Sequence, residues 1–431
     1  MPAFSGQIAE GLSHHRAGRL DEAEAVYRAV LETRPQSAEA LHLLGVLLCQ
    51  RGDAAGGCEL LHQAAKADPD CPEVHFNLAK ALTETGQQDP AREAYRRALE
   101  LRPDYPDALN NLGLLNQAEG RLDEARACYV KVLAQDPKHP EARDNLIQTC
   151  RELGLFGEAE RLLKARWQEA PEDFETAFSL ACLLRDQQKN QEAIEVFEQA
   201  LALKPEDPAT RYLLSVLRGE NPEAPPADYI TRLFDPYAQR FDQHLVHRLN
   251  YNAPEQLARL VRETRGSGNL FEEALDLGCG TGLSGLAFRS LCRRLTGVDL
   301  SSPMLERARA KGLYDRIARE ELVTFLEMMG DDYDLFIATD VFIYLGNLAP
   351  LFSQVRRRCR PGAWFVFSTE SLEDAEFEVR PSGRYAHSMF YIQNLADRYG
   401  FRVRACRDTR LREERGEGVP GHLFVLEAES G

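Results

Sequence analysis

The sequence predicts two domains: an all-α solenoid of paired helices, then an α/β domain built on a mostly parallel, doubly wound sheet. Three observations carry that prediction: a 34-residue repeat through the first half, a proline-dense break near residue 220, and strand–helix alternation around a glycine-rich loop in the second. Size agrees, since 431 residues with 44% hydrophobic and 28% charged composition supply two or three buried cores.

Four columns share the period. Proline recurs at Pro35, Pro69, Pro103, Pro137, Pro171 and Pro205, and glycine at Gly18, Gly52, Gly86, Gly120 and Gly154, with Gln188 sixth. A small-residue column runs Ala23, Gly57, Ala91, Ala125, Ala159, Ala193, and a bulky one Tyr27, Leu61, Tyr95, Tyr129, Leu163, Phe197. Each proline stops a helix, because it lacks the amide proton and clashes with the preceding turn. Each mid-unit glycine ends the first helix of its unit, where a positive φ is needed. The small column lets two helices approach, and the bulky column fills the groove between them. Helix–turn–helix at this period resembles the tetratricopeptide repeat (TPR) family, in six units beginning near Phe4, Ala38, Pro72, Pro106, Pro140 and Phe174. Pro208–Arg218 reads as the polar end helix a solenoid requires, giving an array over residues 4–218.

The sixth position of three consecutive units is Asn77, Asn111 and Asn145. In the resembled family this position faces the concave groove, where a ladder of amides can hold an extended polypeptide. The alternative is local polar packing between helices. Residues 1–220 carry a net charge of −12, which suits a basic or neutral peptide.

Residues 219–227, containing Glu-Asn-Pro-Glu-Ala-Pro-Pro-Ala, read as a linker, since three prolines in eight residues cannot continue a helix. Strands are expected at Ala274–Leu277, Leu295–Leu300, Ile317–Glu320, Tyr333–Thr339, Ala363–Thr369, Phe401–Cys406 and His422–Glu427, with helices at Leu283–Cys292 and Pro303–Lys311. The chemical signal is Leu275-Asp-Leu-Gly-Cys-Gly-Thr-Gly282: a strand enters Gly278, Gly280 and Gly282 and leaves into a helix. Glycine lets backbone pass close under a ligand, and the helix start offers free amides. Asp299 ends the next strand, where a carboxylate accepts ribose hydroxyls. Dinucleotide enzymes space their third glycine further on, and Asp276 before the loop would repel a pyrophosphate but suit a cationic amino-acid or sulfonium group.

Together these residues resemble the glycine motif and second-strand acid of class I S-adenosylmethionine (SAM) methyltransferases, over roughly residues 228–428. The resemblance implies a Rossmann-like, seven-stranded, mostly parallel sheet with its last strand antiparallel. It also implies SAM as cofactor, with Gly278, Gly280 and Gly282 under the methionine moiety and Asp276 near its amino group. Asp299 would take the ribose, Leu300 and Met304 would lie near the adenine, and Glu321, or else Glu320, would be the adenine-side acid. Cys279 sits in the loop as a small residue rather than a nucleophile, because methyl transfer needs no thiol.

Phe234-Asp-Pro-Tyr-Ala-Gln-Arg-Phe-Asp-Gln-His-Leu245 spaces its aromatics three and seven apart. It reads either as an amphipathic helix or as a family-type lid with Tyr237 and Phe241 closing the site. Asp340 and Tyr344 follow the fourth strand at the carboxyl end of the sheet, where ligands sit in such folds. Arg380-Pro-Ser-Gly-Arg-Tyr-Ala-His-Ser388 reads as a polar loop in which Arg384 holds a carboxylate and Tyr385 and His387 orient or deprotonate the acceptor. The expected order of general-base candidates is His387, Asp340, Tyr344. The whole pattern resembles bacterial TPR-containing methyltransferases.

The net charge of −16 argues against nucleic-acid or acidic-membrane partners. No apolar run reaches a membrane span, no signal peptide is expected, and the ten cysteines are scattered singly, as expected of reduced thiols in a cytoplasmic protein. No metal is expected. The function read from the sequence is methyl transfer from SAM to an O, N or C atom, with the array recruiting a polypeptide or carrier-bound substrate. The alternatives are a small-molecule methyltransferase whose array only binds a partner, and an inactive scaffold.

Overall fold

The computed structural model describes residues 2–238, 241–243, 245, 249–266, 270–414 and 417–429. Thirteen consecutive helices open the chain: α1 (Pro2–Arg16), α2 (Leu20–Thr33), α3 (Ala38–Gln50), α4 (Ala54–Ala67), α5 (Pro72–Glu84), α6 (Gln88–Leu101), α7 (Pro106–Ala118), α8 (Leu122–Gln135), α9 (Pro140–Glu152), α10 (Phe156–Glu169), α11 (Phe174–Asp186), α12 (Asn190–Leu203) and α13 (Pro208–Leu217). They are the six predicted pairs and the end helix. The mid-unit glycines all take φ between 72° and 88°, and Gln188 adopts φ 62° in the same place. The small and bulky columns are buried throughout. A further relation emerges at a constant offset of 16 residues. A side chain on Gly11, Gly45 or Gly113 of a first helix would collide with Tyr27, Leu61 or Tyr129 of the second.

The chain forms two compact units, Met1–Ala165 and Arg166–Gly431. The division falls within α10, not at residues 219–227, so the sixth repeat and α13 belong with the second unit. The proline-dense segment is not a free spacer. The Glu223 carbonyl accepts from the Gly346 and Asn347 amides, at 2.8 and 2.9 Å. The Asn221 side chain donates to Phe377 O at 3.0 Å and accepts from Val379 N at 2.9 Å.

The rest of the second unit continues with α14 (Ala227–Phe234), α15 (Phe241–Gln243), α16 (Ala253–Arg265), β1 (Phe271–Leu277), α17 (Leu283–Phe288), β2 (Cys292–Asp299), α18 (Ser302–Ala310), β3 (Arg316–Arg319), α19 (Leu322–Met328), β4 (Tyr333–Ala338), α20 (Ala349–Arg357), β5 (Cys359–Leu372), β6 (Phe377–Val379), β7 (Tyr385–Ser388), α21 (Met389–Tyr399), β8 (Phe401–Glu414) and β9 (Glu417–Ala428). Strands β3, β2, β1, β4 and β5 lie side by side and parallel. β9 pairs antiparallel with β5, and β8 antiparallel with β9. These seven strands are the expected sheet with its antiparallel last strand. β6 and β7 form an extra hairpin whose second strand pairs parallel with the end of β5. Residues 380–388, read from the sequence as a loop, are therefore half turn and half strand.

Alternation along β5 divides the core into two layers. Phe365 and Phe367 pack with Phe342, Phe352 and Ile392 on one face, while Trp364 and Val366 pack with Leu257, Leu411 and Leu423 on the other. Among the described residues, no helix is long and apolar enough to cross a membrane.

Candidate active site

The β1 strand delivers Asp276 and then a loop whose three glycines all have positive φ: 69° at Gly278, 52° at Gly280 and 94° at Gly282. A side chain on Gly278 would strike Val341, whereas the space above Gly280 is open. Asp276 is fully buried. Its Oδ2 accepts from the Tyr314 hydroxyl at 2.7 Å, and its Oδ1 has no hydrogen-bond partner among the described residues. Burial, opposed by the Tyr314 hydrogen bond and reinforced by Asp299, lifts the Asp276 carboxyl to about 7. Sequence reading passed over Tyr314. Its hydroxyl also accepts from Gly285 N at 3.1 Å, and a side chain at Gly285 or Gly297 would run into its ring. Part of the local glycine content thus makes room for this tyrosine rather than for a ligand.

Asp299 closes β2 beside the loop. Its oxygens accept from Gly280 N and Ser301 N, both at 2.9 Å. Burial still holds its carboxyl above the usual range against those bonds. Two aspartates of the aromatic stretch reach this region. Asp235 accepts from the Ser301 hydroxyl at 2.6 Å, and Asp242 accepts from the Thr281 hydroxyl and pairs with Lys311 at 2.7 Å. Tyr237 and Phe241 pack edge to face at 5.5 Å, as do Phe234 and Tyr344 at 5.3 Å. Gln239, Arg240 and His244 of that stretch lie outside the described residues. Asp276, Asp299 and Asp235 make the surroundings of the loop electronegative, which suits a cationic, ribose-bearing ligand and disfavours a pyrophosphate.

Beyond β4 lies a second polar group. Asp340 adopts φ 55°, left-handed for a residue with a side chain, and its amide donates to Ser368 Oγ at 2.9 Å. Arg412 on β8 is buried, donating through Nη1 to Asp340 Oδ2 at 3.2 Å and through Nη2 to Glu370. Glu370 Oε2 in turn accepts from Arg380 at 3.0 Å. Arg384 hydrogen-bonds the Tyr344 hydroxyl, which burial nonetheless keeps protonated well past neutrality. Tyr251 bonds Thr339, and Thr339 bonds Ser284.

A family model described as "Cilia and flagella-associated protein 70 C-terminal domain", of TPR type, matches residues 3–213, and one described as "Methyltransferase domain" matches 275–367. The chain carries a TPR-type array followed by a methyltransferase domain. Among curated relatives, the biotin biosynthesis bifunctional protein BioHC of Teredinibacter turnerae is 28% identical over 40% of this chain and 33% of its own. The malonyl-[acyl-carrier protein] O-methyltransferase of Salmonella typhimurium is 29% identical over 32% of this chain and 53% of its own. The ubiquinone biosynthesis O-methyltransferase of Bordetella bronchiseptica is 26% identical over 37% and 69%. The chain thus spans a third and about half of the first two relatives' length.

Asp299, Asp235 and Asp242 meet the glycine loop and the start of α18, and Phe234 joins Phe241, at 5.9 Å, to Tyr344, which Arg384 hydrogen-bonds. Leu300 is half-buried beside Asp299, and Met304 is wholly buried under the first turn of α18. Glu321 caps α19, accepting from Thr324 N at 2.8 Å, and Glu320 accepts from Glu321 N at 3.1 Å. The Cys279 thiol is buried and pushed well above its ordinary range, so it stays neutral.

Two expectations need correction. His387 is not a general base. It is fully buried, its Nε2 lies 3.0 Å from Gly346 O, its ring stacks on Tyr391, and burial depresses it to about 4. Tyr385 is not an acceptor-side group either, because its buried hydroxyl donates to Pro222 O at 2.9 Å. Both fell to the same cause: β7 turns them into the protein. Arg412, Glu370 and Tyr251 were missed, since no local pattern links residues far apart in sequence. Asp235 and Asp242 had a signal, the Phe-Asp pair repeated seven residues apart.

In the array, Asn77 donates to His42 at 2.8 Å and Asn145 to Asn110 at 3.3 Å, each pairing with the fifth position of the preceding repeat. Phe76 holds that position before Asn111, which bonds the Tyr95 hydroxyl instead.

Proposed function

We propose that the protein transfers a methyl group from SAM to an oxygen acceptor. The observation that carries this reading is the electronegative glycine loop: Asp276 with one buried oxygen unpartnered among the described residues, and Asp299 at the end of the next strand. An α-ammonium at Asp276 and ribose hydroxyls at Asp299 use lone pairs the protein leaves available. The named relatives support oxygen as the acceptor atom, both O-methyltransferases among them acting there.

When bound, SAM supplies a methyl group already activated on a sulfonium. The chain's residues then have to align and shield. Gly278, Gly280 and Gly282 let the backbone lie close under the methionine moiety, and Glu321 lies at the adenine end. Tyr237, Phe241 and Phe234 keep water from the crevice. Tyr344, held by Arg384, orients the acceptor, and Asp340, held by Arg412, removes a proton where the acceptor carries one.

The array presents a polypeptide or carrier-bound acceptor to this domain. A small-molecule acceptor, with the array serving another partner, is favoured by one observation: the Asn77, Asn111 and Asn145 side chains already hold bonds within the array.

Calorimetric titration with SAM tests the cofactor. The wild type should bind in the micromolar range, and Asp299→Ala should lose about tenfold to a hundredfold, the value of one or two hydrogen bonds to a charged group. Binding that survives Asp299→Ala unchanged would refute the assignment. Labelled methyl transfer to a malonyl-[acyl-carrier protein] and to free small molecules bearing a hydroxyl or carboxyl group then separates the two acceptor readings.

A further inference from the structure

The sixth repeat and the end helix are tied to the turn before β7 by a buried cluster of tyrosines. Tyr212 of α13 is 6% exposed, Tyr229 of α14 5% and Tyr385 of β7 0%. The Tyr212 hydroxyl reaches both Gly383 O, at 3.3 Å, and the Tyr385 hydroxyl, at 3.2 Å. The Tyr385 hydroxyl passes the chain on to Pro222 O. The Tyr229 ring stands 5.1 Å from that of Tyr212, and a side chain at Gly383 would strike the Tyr229 hydroxyl. Arg185 of the sixth repeat bonds Tyr229. Asp207, the N-cap of α13, is buried and takes Arg232 of α14 at 2.9 Å, tying the two helices together.

The residue between the two anchored ones is Arg384. Gly383 and Tyr385 are each fixed from the array side, and the turn is closed by Arg380 N to Arg384 O and Gly383 N to Arg380 O, both at 2.8 Å. A side chain whose two chain neighbours are pinned has its exit direction set. Here that direction leads to the Tyr344 hydroxyl.

We infer that Tyr212, a residue of the repeat array's end helix, is a positioning residue for the acceptor side: it fixes the Gly383–Tyr385 turn and so directs Arg384 onto Tyr344. This rests on reading Tyr344 and Arg384 as acceptor-side groups, but its test does not depend on catalysis. The end of the array is then part of the acceptor-side framework rather than a tethered module.

The full chain labelled at tyrosine Cζ supplies the readout. The Tyr344 resonance is identified by its loss in Tyr344→Phe, and Arg384→Ala shows where it lies without the guanidinium. Tyr212→Phe keeps the ring and removes one hydroxyl. It should move the Tyr344 resonance in the direction of Arg384→Ala and speed hydrogen exchange at Arg380 and Gly383 by roughly tenfold, leaving β1 amides unchanged. Tyr385→Phe should do the same. A Tyr344 resonance that stays at the wild-type position in both variants, or in Arg384→Ala, overturns the inference, as does faster exchange spread evenly over β1. A chain that shows the shift yet binds no SAM keeps this inference and fails the cofactor reading.

Discussion

The Tyr314 hydroxyl donates to the buried Asp276 carboxylate at 2.7 Å, across 38 residues of sequence. It is the one hydrogen bond given to that carboxylate by the described residues, and Gly285 and Gly297 are kept bare to admit the ring. Tyr314→Phe preserves the shape and strips the donor. Stability should fall by about 1–3 kcal/mol, the cost of a buried polar group left unsatisfied. Urea denaturation of the two proteins measures it, and equal midpoints and slopes would show the bond to be idle.

Asp276 should make cofactor affinity depend on pH near neutrality. Its folded carboxyl sits at about 7, above the unfolded value of 3.8, so the neutral form is favoured by folding. Its contribution to stability is therefore full below the unfolded value and declines as pH rises towards 7. Ligand binding runs the other way, because a cationic ammonium prefers the ionised form. Affinity for SAM should rise by up to about tenfold per pH unit below 7 and level off above it. Asp276→Asn should flatten that limb in calorimetric titrations at pH 6, 7 and 8.

His387 should instead appear in the pH dependence of stability. Its folded value of about 4 lies below the unfolded 6.5, mainly because burial disfavours the cation. The neutral ring's contribution is thus present above pH 6.5 and is lost progressively as pH falls towards 4. His387→Gln should shallow the acid limb of a denaturation-versus-pH curve. A limb identical to that of the wild type would contradict the buried, neutral assignment.

Arg412 is predicted to be the most sensitive single side chain of the crevice. Removing it leaves Glu370, with a 2% exposed side chain, lacking its closest cation. Breaking one partner of a buried ion pair costs about 3–5 kcal/mol. Arg412→Met should show that loss in thermal and urea melts, with Arg412→Lys intermediate, since an ammonium cannot span Asp340 and Glu370 as a fork does.

The repeat turns offer a purely conformational comparison. Gly120 has φ 77° and no atom near where a Cβ would stand, so Gly120→Ala should cost about 1 kcal/mol from backbone alone. Gln188, at φ 62°, should tolerate glycine with no loss of stability. Paired denaturation curves decide both.

The repeat was legible because its determinants are local and recur: a proline two residues past each second helix, a glycine past five of the six first helices, and a small–bulky pair inside. The glycine loop and Asp299 were legible for a related reason, since β1, the loop and the start of α17 are contiguous. The crevice was not. Asp340 and Arg412 meet from positions 72 apart only because β9 places β8 along the open edge of the sheet. The 380–388 stretch misled because a polar segment reads alike whether its side chains face solvent or pair with a sheet edge; β7 chose the latter and buried His387 and Tyr385.

The sequence by itself determined the two fold types, the period of the array, the strand–glycine–helix unit and the acid at the end of the following strand. Tertiary structure alone decided where the chain divides into compact units, which acids surround the loop, which arginine holds Asp340, and which polar residues of the last hairpin turn inward. Local rules fix what a segment becomes, because propensity, capping and turn geometry act over a few residues. The burial of a particular histidine or carboxylate depends on which distant strand arrives beside it, and that is set by packing of the whole sheet.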